Sequence, residues 1–361
     1  MAAPLKILYV APLDERASSL YRLWALERAG QQAVRLNTQK LFGAGFFWKL
    51  NFWLGTKFGL GTIVWRFNRE VLRMAREHKP DVMWGDKLLF LLPKTLDALR
   101  AMGIVTVNYS IDNPFGPRRD LGWELYMQCI PHYDLHVVQR DQNVLDYKAR
   151  GARDALKIQT AYEPTIHFPP PAGWSDKDRD REVSFIGTPY DQRAEFLTEL
   201  WKQDGLPVVV SGGLVWKQHL TAEAVAGIYR GQGELFVDDY REGIWRSKIN
   251  LSFLTHSNQD EFAHKSFEIA ACEGFLLVER SEGHLQRFIE DEEAVFFSGL
   301  EECAAKIRQY LPDEAARTRI AKAGRERAER SGYHNDRQVE RIVERVREIL
   351  PAVARVKGSA V

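Results

Sequence analysis

The sequence predicts an α/β protein made of two doubly wound domains, each with a parallel sheet covered by helices on both faces. Short apolar strands alternate with helical segments along both halves of the chain. These strands lack a strict alternation of apolar and polar residues, which is typical of parallel strands buried on both faces. Between the halves, a segment rich in proline and then in charge interrupts the rhythm. We therefore expect domains at residues 1–165 and 182–335, joined by a linker at 166–181.

The first domain is predicted to begin with the strand KILYVAP, residues 6–12, followed by a helix that Gly30 closes. Strands and helices then alternate as in βαβ units, so this half is predicted to be Rossmann-like. Its further strands are predicted at 33–37, 81–85, 104–110, 135–139 and 156–160, and its further helices at 92–103 and 141–151.

The same rhythm starts again after the linker, and it predicts a second Rossmann-like domain. In the tail, apolar residues from Val339 to Leu350 recur at helical spacing among arginines and glutamates. We therefore expect a long amphipathic helix within residues 336–361. The strands of the second domain are predicted at 182–187, 207–213, 248–254, 274–279 and 294–297.

Composition excludes several classes of protein. Lysine and arginine total 50 against 49 acidic residues, so the overall charge predicts no attraction to nucleic acid. The three cysteines, Cys129, Cys272 and Cys303, fit neither a disulfide framework nor a zinc ribbon, because they are far apart and odd in number. The first residues lack the apolar core of a signal peptide, and no run of about 18 apolar residues occurs. We expect a cytoplasmic protein that does not span a membrane.

Two Rossmann-like halves suit a dinucleotide cofactor, but the glycines that such a cofactor needs are absent. The turn after the first strand reads APLDERASSLYRL, with no glycine between Val10 and Gly30. Without the G-x-G-x-x-G fingerprint the backbone does not approach a pyrophosphate closely at this turn. Walker A and H-E-x-x-H motifs are also absent. We therefore expect no cofactor.

A longer block in the second half carries a family resemblance. Residues 250–333 contain SFEIAACEGFLLVE, EEAVFFSGLEECAAKIRQYL and RTRIAKAGRERA. This block resembles the C-terminal domain of group 1 glycosyltransferases, most closely the spore-maturation (CgeB-like) branch. The resemblance extends to VSFIGTPYDQR and, in the first half, to KPDVMWGDKLL, NYSIDNPFG and YDLHVVQRDQNVLDYKARGA. It implies a GT-B fold, in which two Rossmann-like domains face each other across a cleft.

The resemblance also implies a donor site in the second domain. Related retaining enzymes carry a Glu-x7-Glu motif, whose second glutamate binds the donor ribose and whose first lies near the donor sugar. Asp260 and Glu268 have this separation, although Glu261 lies beside the first position. A carboxylate accepts two hydroxyl hydrogen bonds at once, as a ribose diol requires. The alternative role for Glu268 is an acid that complements the dipole at a helix N-terminus.

Cations near these acids are candidates for binding the donor diphosphate. The family has an arginine two residues before the F-E pair, and this chain has Lys265 there, next to His264. In FIGTPYDQR, Gly187 precedes Arg193 by six residues, as a glycine precedes a basic residue in the phosphate loop of related enzymes. The alternatives are a solvated surface lysine and a helix-surface arginine. Because cations of this kind neutralise a departing diphosphate, we expect no metal.

Three acids of the first domain are candidates for the acceptor side. Asp112 lies between a buried strand and a turn-forming Asn-Pro, and Asp14 and Asp86 follow other predicted strands. An acid at such a strand end can hold or deprotonate an acceptor hydroxyl, or it can cap its own loop. The sequence does not choose among them, so an inverting reaction with Asp112 or Asp14 as base stands beside the retaining one.

Residues 41–67, LFGAGFFWKLNFWLGTKFGLGTIVWRF, concentrate phenylalanine and tryptophan around Lys49, Lys57 and Arg66. Such a segment can lie in a membrane interface, which suits a transferase with a lipid-linked acceptor. The favoured interpretation is that it packs against the acceptor domain or walls the acceptor pocket, because four glycines interrupt a continuous helix and the stretch is not markedly basic.

The sequence thus predicts a glycosyltransferase that moves a sugar from a nucleoside diphosphate sugar to a hydroxyl acceptor such as a glycan, a lipid-linked glycan or a protein. Bacterial surface polysaccharide, glycolipid or glycoprotein synthesis is the expected context, with retention of configuration favoured. Two alternatives are a catalytically silent GT-B scaffold that binds a nucleotide or carbohydrate, and a GT-B enzyme without an acceptor, such as a nucleotide-sugar epimerase.

Overall fold

A computed structural model describes residues 3–41, 46–117, 122–202, 205–231 and 233–358 of the chain. The chain divides into two compact units. Unit 1 comprises Met1–Thr160 and Asn335–Val361, and unit 2 comprises Ala161–His334. The α/β fold class is confirmed, since each unit is built on a parallel sheet.

Unit 1 contains a six-stranded parallel sheet in the order β2-β1-β3-β4-β5-β6. Its strands are β1 (Lys6–Ala11), β2 (Gln32–Asn37), β3 (Val82–Asp86), β4 (Val105–Tyr109), β5 (Leu135–Val138) and β6 (Ala155–Lys157). Its helices are α1 (Ser18–Arg28), α2 (Phe46–Phe58), α3 (Thr62–His78), α4 (Pro93–Ala101), α5 (Trp123–Cys129), α6 (Asp141–Ala149) and α15 (Asn335–Gly358).

The sheet of unit 1 is covered on both faces, which explains why its strands read as continuous apolar runs. All five residues of β3 and of β4 are buried. One face packs against α1 and α15, through residues such as Leu23 and Ile342. The other face packs against α3 and α4, through residues such as Val71 and Leu99. The long C-terminal helix predicted from its apolar spacing is present, and it belongs to the core of unit 1.

Unit 2 contains a five-stranded parallel sheet in the order β11-β10-β9-β7-β8. Its strands are β7 (Arg181–Ile186), β8 (Val208–Ser211), β9 (Ser247–Ser252), β10 (Leu276–Glu279) and β11 (Val295–Phe297). Its helices are α7 (Arg193–Lys202), α8 (Trp216–His219), α9 (Ala222–Ile228), α10 (Val237–Trp245), α11 (His264–Ala271), α12 (Glu282–Leu285), α13 (Leu300–Tyr310) and α14 (Glu314–Arg330).

The segment at 166–181, predicted as a linker, lies within unit 2. Apart from a short 3-10 helix at Asp176–Asp178 it has little regular structure before β7. Two contacts attach it to the unit: the Trp174 indole donates to the Trp245 carbonyl at 3.1 Å, and Arg317 pairs with Asp176 at 2.5 Å. The division between the units falls earlier, after Thr160, because these contacts bind the proline-rich segment to the second sheet's helices.

In both sheets the strand order reverses at one point, between β1 and β3 in unit 1 and between β7 and β9 in unit 2. Open parallel sheets bind ligands outside the carboxyl ends of their strands at such a switch point. The loops after β7 and β9 are therefore the first place to look for a site in unit 2, and those after β1 and β3 in unit 1.

Candidate functional site

Glu268 is the centre of a polar cluster in unit 2. It lies on the second turn of α11, the helix that follows β9, and only 8% of its surface is exposed. Its Oε2 accepts a hydrogen bond of 2.7 Å from the Tyr240 hydroxyl, and its Oε1 lies 2.9 Å from the Nε2 of His264. The His167 Nε2 lies 3.6 Å from the same Oε1. Three polar side chains from three parts of the unit thus meet at one carboxylate.

The electrostatic surroundings keep Glu268 ionised. Burial raises the pKa of this carboxyl, but the charges of His264, His167 and Lys265, with the His264 hydrogen bond, outweigh burial and hold the pKa well below its ordinary value. A carboxylate offers about four acceptor positions, of which Tyr240 and His264 use two. Acceptor capacity therefore remains for hydroxyl donors of a ligand.

Lys265 brings a cation to the same cluster. Its Nζ lies 4.5 Å from the centre of the Tyr240 ring. Burial lowers the pKa of this ammonium, while Glu268 raises it and Arg193 lowers it further. The sequence left open whether Lys265 is a solvated surface residue. In the structure it is half-buried and packs beside Gly187 and Tyr240.

Gly187 follows β7 directly, and its neighbours leave no room for a side chain. A Cβ atom at this position would lie 2.9 Å from Phe185 and 3.3 Å from the Cε of Lys265. The backbone after β7 therefore approaches the lysine closely. The structure thus brings together the glycine and the lysine that the sequence predicted for phosphate binding, although they are far apart in the chain.

Arg193 begins α7 and makes contacts within the protein. Its Nη2 donates to the Leu254 carbonyl at 2.9 Å and to the Thr255 Oγ1 at 3.0 Å, and its Nη1 donates to the Thr188 carbonyl at 3.1 Å. Burial lowers the pKa of this guanidinium, against the opposing effect of Asp191 and Asp260. These contacts join the loop after β7 to the end of β9, so Arg193 holds the loop. Its predicted role as a donor ligand stays a prediction.

Asp260 lies in the loop between β9 and α11, which turns through a 3-10 helix at His256–Asn258. Its Oδ1 accepts a hydrogen bond of 2.8 Å from the Asn258 side chain. Its backbone N–H donates to the Thr255 carbonyl at 3.2 Å. The carboxylate is half-buried and acts electrostatically on Arg193. Asp260 therefore belongs to the loop that precedes the Glu268 helix.

The start of α11 is held by a buried histidine, His284, on α12. Its Nε2 accepts from the backbone N–H of Ala263, the residue before the helix, at 3.0 Å. Its Nδ1 lies 3.0 Å from the Glu279 carbonyl, so Nδ1 carries the proton. Burial lowers the pKa of His284 to about 4. A neutral imidazole with a fixed tautomer thus satisfies a helix-terminal N–H that would otherwise lack a partner.

Three residues of this site were not among the candidates predicted from the sequence. His167 lies in the segment predicted as a linker, Tyr240 follows an Asp-Asp pair, and His284 precedes no recognisable motif. His167 is 3% exposed, and burial is the main cause of its lowered pKa. The one available signal was a histidine soon after Glu163 in a proline-rich stretch, which is too common to be specific.

In unit 1 two of the three candidate acids lie at the switch point, since Asp14 follows β1 and Asp86 ends β3. The third, Asp112, follows the next strand, β4. Asp112 forms an ion pair with Lys87, whose Nζ lies 4.8 Å from the centre of the Trp123 ring. Asp14 accepts from the Gln39 side chain and from the Arg16 N–H, the second at 2.8 Å. Both carboxylates are half-buried, so both remain candidates for contact with an acceptor.

Asp86 differs from these two acids. It is 8% exposed, and its Oδ2 lies 2.7 Å from the Nη2 of Arg22, which is equally buried. The Tyr9 hydroxyl donates to the same oxygen at 3.3 Å, and the Arg22 guanidinium lies 4.2 Å from the centre of the Tyr109 ring. Asp86 therefore neutralises a buried arginine. This structural role explains the acid at this strand end, and no contact with an acceptor substrate is needed to explain it.

Across the described residues, no group of three or more histidine, cysteine, aspartate or glutamate side chains is placed to hold a metal ion. The expected metal independence stays a prediction.

The fold agrees with comparisons to known proteins. Residues 192–344, from α7 to the first turns of α15, match the family model described as "Glycosyl transferase-like". This match includes the Glu268 helix and the loop of Asp260. No curated protein sequence matches the chain.

Several solved structures share the fold over nearly the whole chain. Sucrose-phosphate synthase from Thermosynechococcus elongatus is 12% identical, with a TM-score of 0.67 over 96% of this chain and 100% of that chain. Anabaena Alr3699/HepE in complex with UDP-glucose is 13% identical, with a TM-score of 0.65 over 94% and 99%. The α,α-trehalose 6-phosphate synthase from Burkholderia multivorans is 12% identical, with a TM-score of 0.62 over 97% and 100%.

At these identities the structural likeness shows the fold, and that fold is GT-B. The match over residues 192–344 and the glycosyltransferases that share this fold together indicate an enzyme of the glycosyltransferase class.

Proposed function

We propose that this chain transfers a sugar from a nucleoside diphosphate sugar to a hydroxyl acceptor, and that the Glu268 cluster of unit 2 binds the donor. The observation that carries the proposal is the buried, ionised Glu268, held by Tyr240 and His264 within reach of the cation Lys265. An ionised carboxylate can accept hydrogen bonds from the two hydroxyls of a ribose, and a neighbouring cation can bind the diphosphate attached to that ribose.

Lys265 and the N-terminus of α11 are the groups proposed to hold the diphosphate. Lys265 occupies the first turn of α11, where the backbone N–H groups and the helix dipole favour an anion. The backbone at Gly187 lies close to Lys265, which supports a role for the loop after β7 in binding the same phosphate. As the bond to the sugar breaks, negative charge develops on the leaving diphosphate, and these groups stabilise it.

On the acceptor side we propose Asp112 or Asp14 of unit 1 as the acid that contacts the hydroxyl. Retention of configuration is our proposal for the stereochemistry, supported by the separation of Asp260 and Glu268 that resembles the motif of retaining enzymes. The assignment to the spore-maturation branch and to bacterial surface glycan, glycolipid or glycoprotein synthesis stays a prediction from the same resemblance.

The donor assignment is tested by calorimetry with nucleoside diphosphate sugars in the presence of EDTA. UDP-glucose is the first donor to try, since a structure with this fold was solved in complex with it. Glu268→Ala is expected to weaken binding by about 1.5–3 kcal/mol, the usual loss for hydrogen bonds to a charged group. The matched control is Glu199→Ala, because Glu199 is an exposed acid on α7.

Unchanged affinity in a folded Glu268→Ala protein would remove Glu268 from the donor site. Incubation of the loaded wild-type protein with acceptor glycans then separates the alternatives. Transfer supports the proposal, and NMR of the new anomeric proton reports retention or inversion. Tight binding without transfer or hydrolysis would indicate a scaffold, and release of an epimer without acceptor would indicate an epimerase.

A further inference from the structure

Unit 1 carries an apolar surface on α2, on the turn after it and on the start of α3. Leu50, Trp53, Phe58, Leu60 and Trp65 are each between 43% and 60% exposed. We call these five residues the α2–α3 face. They account for five of the large exposed apolar side chains of the described chain, all within 16 positions of one another in the sequence. Such a concentration of exposed aromatic surface is unusual in a water-facing helix pair.

The opposite sides of the same two helices are packed into unit 1, so the exposure does not reflect a missing core. The Phe52 ring meets Phe90 edge-on at 5.3 Å. Val64 and Phe67 of α3 are 1% exposed. A Cβ atom at Gly55 would lie 2.9 Å from Val64, so α2 approaches α3 closely there. The inner sides of the two helices therefore pack against the rest of unit 1, as the favoured interpretation of the sequence expected, and the outer side stays exposed.

Cations accompany the exposed rings. The Lys57 Nζ lies 5.3 Å from the centre of the Trp53 ring and 5.5 Å from that of Phe58. The Arg69 guanidinium lies 4.2 Å from the centre of the Trp65 ring. The sequence contains no aspartate or glutamate between Glu27 and Glu70. The segment that builds this face therefore carries positive charge without acids of its own, and it complements an anionic partner.

Among anionic partners, a lipid surface fits this combination. Tryptophan and phenylalanine beside lysine and arginine suit the boundary between acyl chains and headgroups, where the ring is buried and the cation stays at the phosphate level. The described helices include none long and apolar enough to cross a membrane. A helix of 13 residues, as α2 is, is about 20 Å long, which suits lying along a surface.

We propose that unit 1 docks on an anionic bilayer surface through the α2–α3 face, with Trp53, Phe58 and Trp65 entering the interface and Lys57 and Arg69 meeting lipid phosphates. The inference stands on exposure and charge in unit 1 and does not depend on the donor chemistry of unit 2. A lipid-linked acceptor would then be presented at the surface to which the protein binds.

The test is co-sedimentation with vesicles of phosphatidylglycerol mixed with phosphatidylcholine, compared with pure phosphatidylcholine vesicles. The full-length protein is expected to bind the anionic vesicles, with affinity falling as salt rises. Trp53→Ser with Trp65→Ser is expected to reduce the partition coefficient about tenfold or more. Lys57→Gln with Arg69→Gln is expected to reduce binding to anionic vesicles to the level seen with neutral ones.

The matched control is Leu145→Ser with Lys148→Gln on α6, since these residues are an exposed apolar and an exposed basic side chain of the same unit. The control is expected to bind like the wild type, and all variants are checked for unchanged thermal unfolding. Three results would overturn the proposal: no binding of the wild type to anionic vesicles, equal loss in the control, or self-association through the same tryptophans without lipid binding. Loss of lipid binding with intact donor binding would leave the proposed function untouched.

Discussion

The Tyr240 hydroxyl donates a hydrogen bond of 2.7 Å to the Glu268 carboxylate, although the two residues lie on different helices, α10 and α11. The same phenol ring lies under the Lys265 ammonium at 4.5 Å. One side chain therefore fixes the carboxylate by its polar end and the cation by its face. Both charged groups of the proposed donor site therefore contact the same side chain.

Tyr240→Phe is expected to keep the ring beneath Lys265 and to remove only the hydrogen bond to Glu268. Because that bond goes to a charged, buried group, we expect a loss of about 1.5–3 kcal/mol divided between protein stability and donor affinity. Chemical unfolding and calorimetry measure the two parts. Tyr229→Phe is the control, since its hydroxyl donates to backbone carbonyls of Gly212 and Gly213 in the same unit. Equal donor affinity and stability in Tyr240→Phe and the wild type would contradict this role.

Lys265 should give donor affinity a dependence on alkaline pH. Burial lowers the pKa of its ammonium, so the positive charge is lost at a lower pH than in an exposed lysine. Affinity for a diphosphate is therefore expected to fall as pH rises, and Lys265→Met is expected to weaken binding about 10- to 100-fold at neutral pH.

Lys265→Arg separates charge from other effects, because a guanidinium stays protonated across this range. Calorimetry of the wild type and of this variant at neutral and alkaline pH is the measurement. A decline in the wild type that is absent in the arginine variant supports the assignment. A decline of equal size in both proteins would mean that another group titrates.

Asp86→Asn is expected to destabilise unit 1 strongly. The substitution would leave the buried Arg22 guanidinium without its carboxylate, which typically costs about 3–5 kcal/mol. Asp97→Asn is the control, because the Asp97 side chain is 52% exposed and pairs with a histidine at the surface. Urea unfolding compares the two. A loss of activity in Asp86→Asn without a loss of stability would show that Asp86 acts in catalysis after all.

Two of the buried histidines, His136 in unit 1 and His284 in unit 2, should make the protein sensitive to acid. Burial lowers the pKa of His136 and of His284 to about 4. Unfolding restores the ordinary value near 6.5, so the unfolded chain binds protons more readily between pH 6.5 and 4. The contribution of each neutral imidazole is therefore complete above about pH 6.5 and is lost as pH falls toward 4, on the order of 3 kcal/mol each.

NMR titration of the imidazoles checks this directly. His136 carries its proton on Nε2, which lies 2.8 Å from the Ile130 carbonyl, whereas His284 carries it on Nδ1. The two rings are therefore expected to show opposite tautomers at neutral pH and no titration near pH 6.5. Ordinary titration of either ring would disprove its assignment as a neutral buried group.

Local patterns were enough to predict most of the fold. Short apolar runs predicted a strand at or near each of the eleven observed strands, and helical spacing predicted the long tail helix. These predictions succeeded because each pattern lies within a short stretch of chain. The helices α2 and α3 were not separated in the prediction, since glycines and aromatic residues gave no clear period. The sequence also did not predict where the tail helix packs. The helix α15 packs in unit 1, although all of unit 2 lies between it and the rest of unit 1 along the chain.

The sequence by itself determined the class of fold, the family resemblance and the candidates Gly187, Lys265 and Glu268, since motif spacing survives without coordinates. Only the tertiary structure decided what surrounds them: Tyr240 and His167 at the carboxylate, Arg193 bound to carbonyls, and Asp86 neutralised by Arg22. The physical reason is that burial and charge pairing depend on residues distant in sequence. The spacing of residues along the chain indicates which chemical groups are present. Their ionisation and orientation depend on the side chains that pack around them in the folded protein.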